Sequence, residues 1–188
     1  MSPILGIMAS QISGHLASPS YESISTVTVG SGGAATITFS SIPATYAHLQ
    51  IRGIGRGTAG GTNVELDAKF NSDSGANYAN GNIYVDGATV YVFGGASQTY
   101  MAFQRLSGSG STAGVVGTVI IDILDYANTN KYKTVRQLGG VDNNGSGNLG
   151  FNSQLWMNTN AISNIQLFPN SGNFAEYSSF ALYGIKAA

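Results

Sequence analysis

From Tyr21 onward the chain is written in short runs in which apolar residues recur at every second position, separated by clusters of Gly, Asn and Ser. That period of two is the signature of strands, because successive side chains point to opposite faces. The longest such run is Val115–Tyr126, VVGTVIIDILDY. Val115, Val119, Ile121 and Ile123 fall on one face with Gly117. Val116, Thr118, Ile120, Asp122, Leu124 and Tyr126 fall on the other. Its β-branched residues favour a strand over a helix, and it reads as a central strand around which the rest is organised. Tyr21–Val29, Ala35–Phe39, Tyr46–Arg56 and Val64–Phe70 precede it, the first with a break of register at Ile24 that suggests a bulge. A weakly patterned middle follows, with short strands at Ile83–Asp86 and Thr89–Phe93 and another at Thr99–Leu106. Lys131–Leu138 reads as the hairpin partner of the central strand, and Leu149–Met157, Ala161–Phe168 and Phe174–Ile185 complete the set.

About twelve short strands with Gly/Asn turns, no helical period and no internal repeat predict an all-β, single-domain sandwich of jelly-roll type. The body spans residues 21–188. Residues 1–20 are expected to form an extended arm, punctuated by Pro3, Gly6, Gly14 and Pro19. The start of that arm suggests a secretion leader, yet no Lys or Arg follows Met1 there, and Gly6 interrupts the apolar part. Ile4, Leu5, Ile7 and Met8 instead make an apolar cluster suited to anchoring on a partner surface.

Composition narrows the function. Only 9% of the 188 residues are charged and the net charge is −1, against about 25% charged in ordinary domains. No basic stripe exists for nucleic acid, and no run approaches the ~18 apolar residues of a membrane helix. Lys131, Lys133 and Arg136 are expected as solvated charges at a hairpin. Cysteine is absent, so neither disulfides nor thiolate metal sites are available.

Catalytic chemistry finds little material. Of the two histidines, His15 lies in the arm and His48 on the polar side of a strand, with no triad in view. Asp142–Gly147 (DNNGSG) has the look of a calcium loop but places Ser153 where the closing glutamate belongs. An Asx turn accounts for it better. Glu65 and Asp67 share a face, but with Lys69 they read as a solvated side, and Asp122 and Asp125 lie on opposite faces. No nucleotide-binding spacing occurs. The expectation is no catalytic residue, no metal and no cofactor. Asp122, between Ile120 and Leu124, calls for a partner, and Arg136 on the adjoining strand is the first choice. Tyr78, Tyr84, Tyr91 and Tyr100 cluster among Asn, Ser and Gly and are candidates for an adhesive surface, with cross-strand packing the preferred role for tyrosines in strands.

Three stretches carry a family resemblance: SPILGIMAS at the start, YESISTVTVGSGGAATITFSSIPATYAHLQIRGIGR after the arm, and FALYGIK at the end. KFNSDSGANYA and IIDILDYANTNKYKTVRQLGGVDNN lie between them. Together they resemble small β-rich virion structural proteins of tailed bacteriophages. The resemblance implies a non-enzymatic β-sandwich present in many copies on the particle, with the arm as its anchor among other virion proteins, and leaves tail or capsid open. The long polar, Gly/Asn-rich loops expected at 57–63, 71–82 and 139–147, with tyrosines between them, favour a tail-associated or fibre-like protein whose loops contact the host surface, a surface glycan being a compatible partner. The alternative is a capsid decoration protein on the phage head. A glycan-binding or glycan-degrading jelly roll is a remote third reading. Analogy with jelly-roll fibre and decoration proteins suggests a homotrimer.

Overall fold

The computed structural model describes residues 20–187, folded as twelve strands with no helix. In chain order they are β1 Tyr21–Thr28, β2 Ile37–Phe39, β3 His48–Gly55, β4 Asn63–Phe70, β5 Tyr78–Asp86 and β6 Thr89–Gln98. β7 Met101–Ser107, β8 Gly117–Leu124, β9 Lys133–Asp142, β10 Gly147–Trp156, β11 Ile165–Pro169 and β12 Ser179–Ile185 follow. Eight of them form a large antiparallel sheet in the order β1-β12-β3-β8-β9-β10-β5-β6, and four form a small one, β2-β11-β4-β7. The predicted bulge in β1 sits between Ser23 and Ser25.

The connectivity is that of a jelly roll with two additions. Without the hairpin β5–β6 and the pair β9–β10, eight strands remain. In chain order they pair first-last-third-sixth in one sheet and second-seventh-fourth-fifth in the other, the two interlocked sheets of a jelly roll. Both additions join the large sheet beyond β8, so that sheet overhangs the small one. The chain is thus an antiparallel β-sandwich of jelly-roll type.

The core lies where the sheets overlap. Val119, Ile121 and Ile123 of β8 meet Leu49 and Ile51 of β3, Leu182 and Phe180 of β12, and Leu66, Ala68 and Phe70 of β4. The stripe predicted for the central strand is therefore the core stripe. Tyr126 is the exception: read on the opposite face, it is fully buried. The strand ends at Leu124, and Asp125 adopts φ 49°, which breaks the alternation and turns the next ring inward.

At the end of the sandwich Trp156 packs edge to face on Phe70 at 5.6 Å and stacks on Tyr78 at 6.5 Å. The expected loop from Asn71 to Asn82 is shorter than the sequence suggests, because β5 begins at Tyr78. What remains is tied down by Asp73, whose carboxylate accepts Trp156 Nε1–H at 2.8 Å, Gly75 N–H at 2.8 Å and the Asn77 amide. Those bonds hold its carboxyl below the usual range although burial opposes them. The expected turn-rich stretch Gly139–Gly147 is also mostly strand. Only residues 143–146 turn, with Asp142 Oδ1 accepting Asn144 N–H at 2.8 Å in an Asx turn.

Two charge expectations are overturned. Lys133, expected to be solvated, is fully buried, and its ammonium donates to the carbonyls of Asn128, Lys131 and Thr159. It sits on the core side of β9 and caps two turns from within. Asp67, expected on a solvated side, is 2% exposed. Phe168 stands directly across from it and meets Tyr100 edge to face at 6.2 Å, so the two rings close over β4. Burial foremost, then the charge of Glu65, pushes the Asp67 carboxyl up to about 8.

Candidate functional site: two faces of the overhanging sheet

The overhang of β9, β10, β5 and β6 has an outer face turned away from the small sheet and an inner face turned toward the edge of β7. The two differ in chemistry.

The outer face is apolar. The ladder places Ile120 across from Leu138, Leu138 across from Phe151, Phe151 across from Ile83 and Ile83 across from Val92. All five are exposed large hydrophobics, Val92 at 73%. A second row runs Gly140, Leu149, Val85, Val90. Around Gly139 and Gly140, where no side chain fills the surface, lies a trough of about 1000 Å3 walled by Thr118, Ile120, Leu138, Leu149 and Val85. The third row, Asp122, Arg136, Ser153, is polar.

At the edge of this face β6 is TVYVFGGASQ, with no charged residue and no proline. The opposite edge, β1, carries Glu22 paired to Lys186. A long, uncharged, apolar edge lacks most of the devices that keep strands from pairing with other chains.

The inner face is polar and aromatic. Asn148, Asn152 and Gln154 of β10 and Asn82 of β5 are buried there beside Gln104 of β7. Asn152 donates to Ala102 O at 3.0 Å and accepts from Gln104; Gln154 donates to Ala102 O and to Asn82. Gln104 N–H donates to Gln137 Oε1 at 3.0 Å. Farther out Tyr84 and Tyr91 stack at 5.0 Å, Phe93 meets Tyr84 edge to face, and the Arg105 guanidinium lies 5.0 Å from the Tyr84 ring on the side of β7. Arg105 also pairs with Asp86 at 3.2 Å.

Beside Asp86 is a polar pocket of about 260 Å3, lined by Thr62, Asn63, Asp86, Ser111, Thr112, Asn143 and Ser146 with backbone at Gly110 and Gly147. Arg56 fixes one wall by donating to the carbonyls of Ser109, Ser111, Thr112 and Val115. Ser111 Oγ donates to Thr62 O at 2.6 Å, which zips that wall to the neighbouring loop. Asn63 Oδ1 and Asn143 Oδ1 are buried and accept no hydrogen bond.

Of the four tyrosines singled out as a surface, the structure brings together only Tyr84 and Tyr91. Tyr78 is fully buried, its hydroxyl accepting Phe70 N–H at 3.1 Å and donating to Asp73 O. Tyr100 lies over the small sheet with Phe168. Asp122 and Arg136 are direct cross-strand neighbours, as expected, but form no ion pair. Asp122 accepts from Gln50 Nε2 at 2.6 Å and Arg136 donates to Ser153 Oγ at 2.7 Å. Asp122 is half-exposed, so no buried charge demands a partner. The anchor residues Ile4, Leu5, Ile7 and Met8 lie outside the described residues. Sequence reasoning missed Phe93, Arg105 and the Asn63–Asn143 pocket, whose parts come from four separate segments.

No protein-family model matches the chain, and no curated protein matches it in sequence. Among solved structures, the galectin LEC-6 of Caenorhabditis elegans aligns at 8% identity and a TM-score of 0.34, over 84% of this chain and 98% of that one. The CBM40 of a Ruminococcus gnavus sialidase, bound to α2,6-sialyllactose, aligns at 12% identity and 0.29, over 89% and 93%.

Proposed function

We propose that the chain is a non-enzymatic structural subunit of a tailed-phage virion, tail-associated or fibre-like, which joins copies of itself through the outer face of the overhang and meets a host-surface glycan with its loops. The observation that carries this reading is the row Ile120, Leu138, Phe151, Ile83, Val92. Burying one such side chain is worth about 1.5–3 kcal/mol, and a continuous patch of them on a sandwich is what an association surface looks like. The resemblance in sequence supplies the particle, and analogy with phage fibres supplies a cluster of three.

The test is the virion itself. In particles of a phage that encodes this chain, mass spectrometry should find it in a few to tens of copies, and antibody labelling should mark the tail. Hundreds of copies on the head would replace this reading with the decoration protein, and absence from the particle would overturn both. In solution, light scattering should give a mass three times the 19.4 kDa of the chain. The double variant Leu138→Arg/Phe151→Arg should run as a folded monomer. A monomeric wild type would remove the self-association.

A further inference from the structure

We propose that the trough around Gly139 and Gly140 on the outer face receives residues 4–8 of a second copy of this chain, so that each arm seats on the next copy. This deepens the self-association part of the reading above and rests on it, naming which segment meets which surface.

The trough is a built gap in the sheet surface. Gly140 cannot carry a side chain into it, because a Cβ there would stand 2.2 Å from the Asn148 backbone oxygen. The walls are Thr118, Ile120, Leu138, Leu149 and Val85, and Asp142 is the one charged residue in the lining. Ile120, Leu138 and Leu149 are 39%, 49% and 59% exposed, so an apolar occupant has surface to bury. At about 1000 Å3 the trough lies at the top of the roughly 300–1,000 Å3 range of ligand pockets, room for several aliphatic side chains.

The chain supplies a segment of matching chemistry outside the described residues. Ile4, Leu5, Ile7 and Met8 fall within five positions, and no Asp, Glu, Lys or Arg occurs before Glu22. Seating that segment in an apolar trough strips water from no charged side chain of its own.

The geometry selects a second copy over the chain's own body. The row that holds the trough runs Gly139, Val119, Gly53, Phe180, Val27 across the large sheet. Tyr21, where β1 begins, lies at the other end of the strands, in the row of Ile185, His48, Leu124 and Thr134. Ser20 prolongs β1 at that end, its carbonyl accepting Lys186 N–H at 3.0 Å. The chain before β1 therefore leaves the sandwich at the end remote from its own trough and heads away from it. Met8 stands twelve positions before Ser20, a reach of up to about 40 Å, enough to cross to a neighbour. An arm on one surface and a trough on another make a head-to-tail contact, which closes into a ring, as a cluster of three requires.

The chain has no cysteine, so introduced cysteines report the contact directly. The experiment mixes full chains carrying Ile7→Cys with size-tagged full chains carrying Leu149→Cys and oxidises them with diamide. A disulfide-linked heterodimer is expected, in at least fivefold higher yield than when the tagged chain carries Tyr177→Cys, at a residue 77% exposed beside β1. Ile7→Cys and Leu149→Cys in one chain should give linked oligomers. An internal disulfide in monomeric chains, or equal yields from Leu149→Cys and Tyr177→Cys, would overturn the proposal. Analytical ultracentrifugation reads the same contact without cysteine. Removing residues 1–12, or Ile4→Asp/Ile7→Asp, should raise the dissociation constant of the oligomer at least tenfold, with the circular dichroism of the body unchanged. An equally tight oligomer from both variants would overturn the arm contact and leave the self-association standing. A wild type that stays monomeric would overturn the self-association itself, and the arm contact with it.

Discussion

In β8 the side chains facing the small sheet are Val119, Ile121 and Ile123, and those facing out include Thr118 and Asp122. Two strands along, in β10, the order is reversed: Asn148, Asn152 and Gln154 face in while Leu149 and Phe151 face out. The small sheet explains the reversal. Its four strands can cover only as many neighbours, and past β8 the large sheet meets the edge of β7 rather than a packed face. An apolar inner surface there would have nothing to close against, whereas Asn and Gln can bond to the open edge, as Asn152 and Gln154 do with Ala102 O. The covered half uses its apolar face to fold. The overhang keeps its apolar face outside the fold, free for another chain.

The sharpest test compares neighbours in one strand. Ile121→Ala removes a fully buried side chain and should lower stability by about 2–5 kcal/mol in urea unfolding, as buried Ile→Ala changes do. Ile120→Ala, one residue away on the outer face, should change a monomeric background by less than about 0.5 kcal/mol. Equal losses would mean that the outer row is already packed within one chain.

A second test asks whether burial, rather than polarity, decides behaviour on the small sheet, where the alternation put Asp67 outside and the fold buried it. Its carboxyl holds a proton in the fold up to about pH 8, while an unfolded aspartate releases it near pH 4. The unfolded state therefore binds fewer protons across that window. Stability is fully present below pH 4 and falls as pH rises toward 8, by up to about 1.4 kcal/mol per unit. Glu65, Lys69 and Tyr100 face the group; Glu65 is itself raised by burial against the pull of Arg105, and the Asp67 charge raises Tyr100. Asp67→Asn should stabilise the protein by up to about 4 kcal/mol at pH 7, change little at pH 4, and flatten melting temperature against pH. An unaltered slope would place the titration elsewhere.

The inner polar layer gives a smaller effect. Asn152→Ala strands the Gln104 side-chain amide and removes one of the two donors on Ala102 O, and should cost about 1–2 kcal/mol without changing the oligomer. A change of oligomer would show that the two faces are not independent.

Alternation made the strands legible, and with them the class of fold, because a period of two survives in any half-buried sheet. It marks two faces but not which is inside. Val119 and Leu149 look alike in sequence, and only the width of the small sheet separates core from exposed patch. The candidate pocket was illegible for another reason: Asn63, Asp86, Ser111 and Asn143 belong to four segments that only the jelly-roll crossovers bring together. Tyr84 and Tyr91 were visible because one hairpin holds both, and Tyr78 could not be separated from them as a packing residue because nothing local records that Trp156 covers it.

Asp122 gives the smallest effect, and it tests the boundary between the two halves. It stands in the polar row beside Arg136, at the point where apolar residues cross from the inner face to the outer. A buried pair there would make either single change cost about 3–5 kcal/mol, because one charge would be left unpaired. Asp122 instead accepts from Gln50 at 2.6 Å, and Arg136 turns to Ser153, both in reach of water. Half-exposed polar contacts of that kind contribute a few tenths of a kcal/mol. Asp122→Asn and Arg136→Ala should each shift stability by less than about 0.5 kcal/mol, with additive effects in the double variant. Non-additivity above about 1 kcal/mol would mean that the two charges are paired and desolvated, which a neighbouring copy seated on this face would bring about. The measurement should therefore be made on the Leu138→Arg/Phe151→Arg monomer and on the assembled wild type, and the difference between the two reports how far the interface extends past the apolar rows.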